Sequence, residues 1–273
     1  MSIERFLGRT VVVKYGGNAM IDSALKESFA SDVVALARNG IHIVVVHGGG
    51  PQINEMLMKL SIEVAFAGGF RVTDAQTMSV VEMVLSGVVQ PEIVGLINQA
   101  GGNAVGLSGI DGNLLVCERR DVMVEGKPTN IGLVGDVIRV NSGILQNLLN
   151  ASYVPVVSSF GNDKSGRALN VNADTAAGTI AGELMADALV MLTDVAGLYA
   201  DWPNSSTVIP QLSSEALREL LPSLTSGMVP KMEGCLRALD RGAKEVLVID
   251  GRVHHGLFAA LEASDFLGTR VLP

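Results

Sequence analysis

Short apolar runs rich in β-branched residues recur along the chain and alternate with segments of helical periodicity. The runs cover residues 10–13, 41–46, 154–157, 188–192 and 246–249. Their apolar positions are nearly continuous, as in strands that are buried on both faces. Between the first two runs, residues 23–38 place an apolar stripe along one helical face, and Gly40 supplies a stop. This alternation predicts an α/β fold, an αβα sandwich with an open, mainly parallel central sheet and helices on both faces.

Two segments interrupt the alternation and predict antiparallel hairpins. Residues 114–118 and 134–140 have the pattern of paired strands joined by a polar loop. Residues 160–170 have the composition of a second, exposed hairpin. Further helices are predicted over 175–185 and 229–242, and Pro51 opens another, because a missing N–H is harmless in a first helical turn.

The length of 273 residues is typical of one large domain or of two closely packed lobes. Neither hairpin has the composition of a linker, so we expect one continuous sheet with a soft boundary near residue 180. The candidate functional clusters separate at that point. The sequence therefore predicts an N-terminal lobe over 1–180 and a C-terminal lobe over 181–273.

Glycine is the outlier of the composition, with 31 residues where about 7% of a chain is usual. Gly16-Gly17 follow Lys14, and Gly48-Gly49-Gly50 follow His47, each tract just after an apolar run. Beyond the carboxyl ends of parallel strands, bare amides and the next helix N-terminus attract an anion. Tight strand-to-helix turns are the alternative explanation. Neither tract has the Walker or the dinucleotide-binding spacing, so the sequence favours phosphate binding without identifying the ligand.

Lys231 lies in the first turn of the predicted 229–242 helix, where a cation is disfavoured by a few tenths to about 1 kcal/mol. One interpretation is a solvated lysine that pairs with nearby Glu233. The other is a lysine aimed at a bound polyphosphate, which the helix N-terminus would also attract. The residues themselves leave both interpretations open.

Segment 170–174 places Asn170, Asn172 and Asp174 just before a predicted helix. Asn172 or Asp174 is sufficient as a simple N-cap. Three polar side chains exceed what one cap requires, so we also expect contact with a ligand or with a lysine. Arg71 is the best candidate for binding a substrate carboxylate, because its planar guanidinium binds such groups in a bidentate way. Pairing with Asp74 is the alternative.

Asp194 follows the 188–192 run and is a candidate to bind a lysine or a nucleotide, or to cap a turn before Gly197. His254 and His255 lack metal-ligand spacing and are interpreted as a surface turn. Cys117 and Cys235 belong to no CxxC pair, which indicates neither a disulfide framework nor a zinc site and suits a reducing compartment.

Charge and hydropathy exclude several classes of protein. Lys and Arg number 20 against 28 Asp and Glu, a net charge of −8, and aromatic residues are only 4%, which disfavours a nucleic-acid surface. The longest uncharged stretch, 140–162, carries too many amides and hydroxyls for a membrane helix. The N-terminus has no apolar signal-peptide core, so we expect a soluble, cytoplasmic protein.

Taken together, the motifs of this chain resemble the amino acid kinase family over nearly its whole length. Each piece alone is weakly specific, but their order and spacing are strongly specific. The matching segments are residues 13–20, 47–52, 70–73, 105–109, 132–136, 170–174, 192–195, 227–233 and 268–269. The resemblance is strongest to members that act on N-acetyl-L-glutamate.

The resemblance implies the amino acid kinase fold and phosphoryl transfer from ATP to the side-chain carboxylate of N-acetyl-L-glutamate, a step of arginine biosynthesis. By the family pattern, Lys14 and Lys231 flank the transferred group, and Asp174 orients both lysines. The acid would be held by Gly49, Gly50, Arg71 and Asn170. The nucleotide side would comprise Gly16, Gly17, Thr193, Asp194, Gly227 and Met228. Mg²⁺ would arrive with ATP, bound mainly through phosphates and water, so no protein metal ligand is expected.

Two departures from the family pattern bear on assembly. Members that form arginine-inhibited hexamers carry a longer N-terminal helix, whereas only residues 2–9 precede the first strand here, and segment 265–269 lacks a glycine common at that site. We therefore expect a homodimer with weak or no inhibition by arginine. The alternatives are a sister kinase for N-acetyl-2-aminoadipate, one methylene longer, or a catalytically silent metabolite-binding protein on the same fold. Both lysines are present, which disfavours the silent alternative.

Overall fold

The computed structural model describes residues 3–124, 126–201, 204, 207–224, 227–262 and 267–273. Segment 265–269 therefore lies partly outside the described residues, because 265 and 266 are not among them. Residues 2 and 125 also lie outside the described residues. The strands are β1 (Thr10–Tyr15), β2 (His42–His47), β3 (Phe66–Ala67), β4 (Phe70–Arg71), β5 (Ala104–Ser108), β6 (Leu115–Val124), β7 (Lys127–Val140), β8 (Val154–Ser158), β9 (Phe160–Asn162), β10 (Ala168–Val171), β11 (Ala188–Thr193), β12 (Gln211–Ser213), β13 (Val246–Asp250) and β14 (Thr269–Leu272).

The helices lie between these strands. They are α1 (Ser23–Arg38), α2 (Gly50–Lys59), α3 (Ala75–Val84), α4 (Gln90–Gln99), α5 (Gly143–Asn150), α6 (Ala173–Glu183), α7 (Ser214–Leu220), α8 (Val229–Asp240) and α9 (Gly256–Glu262). A π-helical turn, Leu85–Val89, joins α3 to α4, and short 3₁₀ turns cover Ile3–Phe6, Gly17–Met20, Asp111–Asn113 and Leu221–Ser223. The predicted 23–38 helix is confirmed residue for residue as α1. The predicted 175–185 helix begins and ends two residues earlier, because Asn172 caps it.

The main sheet has eight strands in the order β12-β14-β13-β11-β1-β2-β8-β5, and its pairs are parallel except β13 with β14. This confirms the predicted open, mainly parallel sheet. β1 lies between β2 from the N-terminal part of the chain and β11 from the C-terminal part. Ligands of such sheets bind at the carboxyl ends of the strands, at the switch point where the order of the strands reverses. Here the switch point is the end of β1.

Side chains of the inner strands alternate between two hydrophobic cores, one on each face of the sheet. Val11 and Val13 of β1 belong to one core, and Val12 belongs to the other. Helices α1, α3, α4 and α9 cover the first face, whereas α5, α6 and α8 cover the second. Burial on both faces explains why these strands have continuous apolar sequences.

β6, β7, β9 and β10 form a second, smaller sheet that closes on itself. β6 and β7 are antiparallel, as are β9 and β10, so both predicted hairpins are confirmed. The strands of the first hairpin are longer than predicted, because their pairing continues through polar residues as far as Val124 and Lys127. β10 also pairs with β7, which brings residue 170 beside residue 134 and carries this sheet up to the switch point.

The helical segment Ala75–Gln99 is the one candidate membrane span among the described residues, by length and composition. Within its most apolar window, 44% is buried inside the fold. Core helices of globular proteins reach the same length and apolar composition, so this segment does not by itself indicate a membrane span.

Candidate functional site

The carboxyl ends of β1 and β2 open into a cavity of about 260 Å³. Its wall contains both glycine tracts, Gly16-Gly17 and Gly48-Gly49-Gly50, together with the side chain of Lys14. Asp174, Arg71 and Asn170 also line it, so the structure brings together residues from four separate segments of the sequence. The cavity is therefore the candidate site.

Lys14 and Asp174 form an ion pair at the base of this cavity. The Lys14 Nζ lies 2.9 Å from Asp174 Oδ1, and both side chains are 7% exposed. Lys231 approaches the other oxygen, with Nζ 3.6 Å from Oδ2, and its side chain is 26% exposed. Burial alone would raise the pKa of Asp174, but the charges of Lys14 and Lys231 outweigh it and hold that pKa below its usual value. Asp174 is thus a fixed negative charge between two lysines.

Close packing of α8 on α6 brings Lys231 to this carboxylate. A Cβ at Gly178 of α6 would collide with the carbonyl oxygen of Gly234 in α8, and a Cβ at Gly234 would lie 2.7 Å from the Asp174 carbonyl oxygen. The two glycines let the helices approach closely enough for a residue in the first turn of α8 to reach the start of α6. Glu233 does not pair with Lys231, and instead lies 3.8 Å from Arg120. The alternative of local pairing is wrong.

A buried histidine, His47, forms a hydrogen bond with the first glycine of the tract after β2. His47 Nδ1 lies 2.9 Å from the Gly48 carbonyl oxygen, which only accepts, so Nδ1 carries the proton. Nε2 then accepts from the Ser158 hydroxyl at 3.0 Å. Burial lowers the pKa of His47 to about 4, which keeps the ring neutral.

Gly49 is required by a close approach of the π-helical turn to the cavity. A Cβ at position 49 would lie 2.7 Å from Leu85 Cδ2 and 3.2 Å from Val89 Cγ2. Because both neighbours are fully buried, any larger residue would have to displace their side chains. α2 begins at Gly50, which lines the cavity, so the N-terminus of this helix borders it.

Arg71 projects from the short β3–β4 hairpin and is itself buried, with 8% exposed. Its Nη2 lies 3.4 Å from the Gly50 carbonyl oxygen, while Nη1 is a buried atom without a hydrogen-bond partner. Desolvation lowers the pKa of this arginine. Asp74 does not pair with it, because the Asp74 carboxylate caps α3 by accepting from the Thr77 amide. The Asp74 alternative is wrong, and the guanidinium remains available to an anion.

Asn170 is linked to the same hairpin through Thr73. The Asn170 amide donates to Thr73 Oγ1 at 3.2 Å, and Thr73 Oγ1 donates to the Arg71 carbonyl oxygen at 2.9 Å. Its neighbour Asn172 is the N-cap of α6 and accepts from the amides of Asp174 and Thr175. The simple-cap interpretation therefore holds for Asn172, whereas Asp174 faces the lysines.

On the other side of Lys14, Asp194 lies at the end of β11 and accepts from the Asn18 amide at 2.8 Å. A Cβ at position 17 would lie only 2.8 Å from the Asp194 carboxylate oxygens. Gly17 also has a φ of +72°, so both the close approach and the backbone conformation favour glycine at this position. Thr193 is buried, and its hydroxyl donates to the Val195 carbonyl oxygen at 2.7 Å. The Thr193 side chain is thus occupied within the fold.

A second cavity, of about 340 Å³, lies beyond β11. It is lined by Leu198, Tyr199, Ala200, Asp201, Leu220, Ser223, Leu224 and Met228. Met228 thus lines this cavity, while its neighbour Gly227 is exposed and does not line it. The first cavity is lined by residues between 14 and 174 and the second by residues between 198 and 228, so the two cavities draw on different parts of the chain.

Several residues of the first cavity were not predicted. They are Phe66, Phe70, Leu85, Val134 and Ser159. Phe70 and Val134 lie in the matching segments 70–73 and 132–136, but neither was assigned a role, and Phe66, Leu85 and Ser159 lie in none of the matching segments. His255 was interpreted only as part of a surface turn; its Nδ1 lies 2.7 Å from buried Asp32, which ties that turn to α1. Cys117 and Cys235 are buried, and burial raises the pKa of both thiols, that of Cys117 to about 12.

Sequence comparison identifies close relatives. A sequence model described as the amino acid kinase family matches residues 9–250. The acetylglutamate kinase of Saccharopolyspora erythraea is 53% identical over 271 residues, which cover 99% of this chain and 89% of that protein. The acetylglutamate kinase of Bifidobacterium adolescentis is 52% identical over 273 residues, covering 99% of this chain and 86% of that protein.

Solved structures show the same fold at low identity. N-acetylglutamate synthase from Neisseria gonorrhoeae, complexed with coenzyme A and N-acetyl-glutamate, has a TM-score of 0.86 at 22% identity, covering 99% of this chain and 61% of that one. Carbamate kinase from Giardia lamblia bound to AMP-PNP has a TM-score of 0.70 at 16% identity, covering 97% and 98%. With the family match over most of the sequence and relatives that share half of its residues, this chain belongs to the amino acid kinase family.

Proposed function

We propose that this chain transfers the γ-phosphoryl group of ATP to the side-chain carboxylate of N-acetyl-L-glutamate, giving N-acetyl-L-glutamyl 5-phosphate in arginine biosynthesis. The observation that carries the proposal is the pair of lysines on Asp174, at the base of a cavity that also holds glycine amides and a buried arginine. The acetylglutamate kinases at 52–53% identity support the choice of acid.

The acid end of the site is assigned to Arg71, Asn170, Gly49 and Gly50. The buried Nη1 of Arg71, without a hydrogen-bond partner, fits an incoming carboxylate, which would restore the hydrogen bonds that its burial removed. The amides of Gly49 and Gly50, at the start of α2, suit the reacting oxygens. Asn170, held by Thr73, would orient the acetylated end.

Phosphoryl transfer is assigned to Lys14, Lys231 and Asp174. The acceptor carboxylate is already ionised at pH 7, so the reaction needs no general base. The residues therefore act by alignment and by neutralising charge on the moving phosphoryl group. Lys14 approaches from the sheet and Lys231 from α8, and Asp174 keeps both ammonium groups at the site.

The nucleotide side is assigned to Gly16, Gly17, Thr193, Asp194, Gly227 and Met228, with the second cavity as the place for the base. Mg²⁺ would be carried by the ATP phosphates and supply charge neutralisation there. Among the residues the structure describes, no group of three or more His, Cys, Asp or Glu forms a metal site, and both Asp174 oxygens face lysines. Asp174 is thus paired with the lysines, and in the proposed reaction the metal would be held chiefly by phosphates and water.

For the organisation of the molecule, we propose that residues 1–180 bind the acid and form a homodimer, while residues 181–273 bind the nucleotide. β5 ends the order of the main sheet, and α4 packs beside it. Met83 and Val88, on the same helical segment, are 57% and 49% exposed, which suits a contact with a second copy. Sedimentation should give a dimer, and a stable hexamer would overturn this assembly. A cytoplasmic location, without nucleic-acid or membrane partners, is part of the same proposal.

The test is a coupled assay of ADP release with N-acetyl-L-glutamate, N-acetyl-2-aminoadipate and free L-glutamate, with hydroxylamine added to trap an acyl phosphate as its hydroxamate. We expect turnover and hydroxamate chiefly with N-acetyl-L-glutamate. Preferential turnover of N-acetyl-2-aminoadipate would reassign the acid, and a failure with all three acids would exclude the proposed reaction.

A further inference from the structure

We propose that Arg120 is a positioning residue that ties the strand carrying Arg71 to the helix carrying Lys231. Arg120 lies on β6 and does not line the cavity. Its guanidinium carbon lies 4.4 Å from the centroid of the Phe70 ring, and Phe70 lines the cavity directly before Arg71. The guanidinium therefore lies over an aromatic ring of the acid-binding hairpin, in a cation–π contact.

The nitrogens of the same guanidinium reach the other half of the site. Nη2 lies 3.8 Å from Glu233 Oε2, and Glu233 follows Lys231 by two residues in α8. Nη1 lies 3.7 Å from Asp136 Oδ2 on β7. Arg120 thus contacts β4, β7 and α8 at once, and two of these elements carry residues assigned to the reaction.

Asp136 is anchored independently of Arg120. Arg237 of α8 lies 2.8 Å from Asp136 Oδ1 through Nη1 and 2.9 Å from Oδ2 through Nη2. This bidentate pair fastens the middle of α8 to β7. Arg120 and Glu233 add a second point of contact one turn nearer to Lys231, and so set the angle at which the start of α8 meets the site.

The backbone is shaped to present Arg120 in this way. Pairing of β6 with β7 jumps from Arg119 opposite Gly135 to Asp121 opposite Asn130, so an irregularity lies at Arg120. The extra residues of β7 turn towards the hairpin, where Leu133 donates to the Thr73 carbonyl oxygen at 2.6 Å and Thr73 donates to the Ile131 carbonyl oxygen at 2.9 Å. Irregularities of this kind re-aim a side chain next to active sites.

The chemistry of the contacts requires arginine. A planar guanidinium stacks on an aromatic ring with its face while its edge nitrogens pair with two carboxylates. A lysine ammonium at the same place would keep the charge but would lose either the stacking or one of the pairs. Arg119 is the matched control, because it carries the same charge one residue earlier on the same strand and is exposed.

The inference rests on the proposed reaction, and its test has one readout with turnover and one without. Arg120→Gln should lower kcat about tenfold, below the roughly hundredfold loss that a 1 Å misplacement can cause. KM for N-acetyl-L-glutamate should change less than about threefold, because Arg71 still binds the acid. Arg120→Lys should recover only part of kcat, and Arg119→Gln should match the unmodified protein. Adding Glu233→Gln to Arg120→Gln should cost nothing further, since Arg120→Gln already removes the pair that Glu233 makes.

Hydrogen exchange of the free protein supplies the second readout. Amides at the start of α8 and in the β3–β4 hairpin should exchange faster in Arg120→Gln than in Arg119→Gln. Equal exchange in the two variants would overturn the inference, as would equal kcat or fully additive effects of Arg120→Gln and Glu233→Gln. Absence of turnover in the unmodified protein would instead contradict the proposed reaction, and the exchange comparison would still decide the role of Arg120.

Discussion

Lys14 and Lys231 contact the same carboxylate, yet the structure holds them in different ways. Lys14 lies near the end of an inner strand, with its side chain 7% exposed and 2.9 Å from Asp174. Lys231 lies in the first turn of a helix, 26% exposed and 3.6 Å away. β1 is bonded on both sides by parallel strands, so the sheet fixes Lys14.

The surroundings of Lys231 depend instead on helix packing. α8 rests on α6 at Gly178 and Gly234, and its first turn has no side-chain cap. Removing Lys14 would leave Asp174 buried with a partly exposed partner, whereas removing Lys231 would leave the shorter pair intact. In the proposed reaction, the buried lysine would therefore serve both stability and chemistry, whereas the partly exposed lysine would serve chemistry alone.

The largest expected effect follows from Lys14→Met. We expect kcat to fall about 10³-fold, because the variant loses a fixed charge at the transferred group. The free energy of unfolding should fall by about 3 kcal/mol, because Asp174 loses its nearer counter-charge in a buried place. ADP release and urea unfolding measure the two quantities, with Lys164→Met, at an exposed site, as control. If Lys14→Met were as stable as this control, the comparison of the two lysines would fail.

Lys231→Met should separate the two roles. We expect kcat to fall about 10²-fold, because a charge on the phosphoryl group is lost. The free energy of unfolding should change by less than about 1 kcal/mol, because the removed pair is partly exposed and Lys14 remains on Asp174. The same two assays apply. A loss of stability equal to that of Lys14→Met would show that the lysines are equivalent.

Gly178→Ala tests whether helix packing places Lys231. The added methyl group would meet the Gly234 carbonyl oxygen, so α8 must move away. We expect the free energy of unfolding to fall by about 2 kcal/mol, as for overpacked cores. kcat should fall about tenfold from the displacement of Lys231. Gly143→Ala, at an exposed helix start with open space around it, is the control and should leave both quantities nearly unchanged. Full activity in Gly178→Ala would separate the helix contact from the site.

The smallest expected effect is a pH dependence on the Lys14 side of the site. The pKa of His47 is lowered to about 4 from 6.5, so below pH 6.5 the unfolded chain binds a proton that the folded chain does not. Stability should therefore fall as pH falls, by about 1 kcal/mol from His47 between pH 7.5 and 5.5. His47→Asn should flatten this part of the urea-measured slope, whereas His254→Asn, at an exposed site, should not. An unchanged slope in His47→Asn would remove His47 from the account.

Sequence patterns predicted the parts of the fold that local physics determines. The strands predicted at 10–13, 41–46, 154–157, 188–192 and 246–249 are all present, because buried inner strands have continuous apolar sequences. Four of them extend one or two residues further at the carboxyl end, and the strand predicted over 41–46 is shifted by one residue to 42–47. The edge strand β5 was not predicted, since three of its five residues are half-buried and Gly106 interrupts the pattern. The π-helical turn also lacks a local signal.

The site was less accessible to sequence reasoning where it depends on long-range contacts. Lys14, Arg71, Asp174 and Lys231 were singled out by residue type and position, but their juxtaposition needs the packing of α6 on α8 and the turn at Thr73. Arg120 was not singled out, because its partners lie up to 113 residues away, at Glu233, and no local pattern marks a stacked arginine. Strand register and helix packing determine these contacts, and the local periodicity of the sequence does not predict either of them.

The most direct test of the central claim compares binding with turnover in Lys231→Met. Calorimetry would measure the affinity for N-acetyl-L-glutamate, and a single-turnover assay would measure formation of the acyl phosphate from ATP. The account predicts an affinity within about threefold of the unmodified protein and transfer slowed about 10²-fold, because Lys231 acts on the transferred group and not on the acid. Unchanged transfer, or loss of acid binding with proportionate loss of rate, would contradict it.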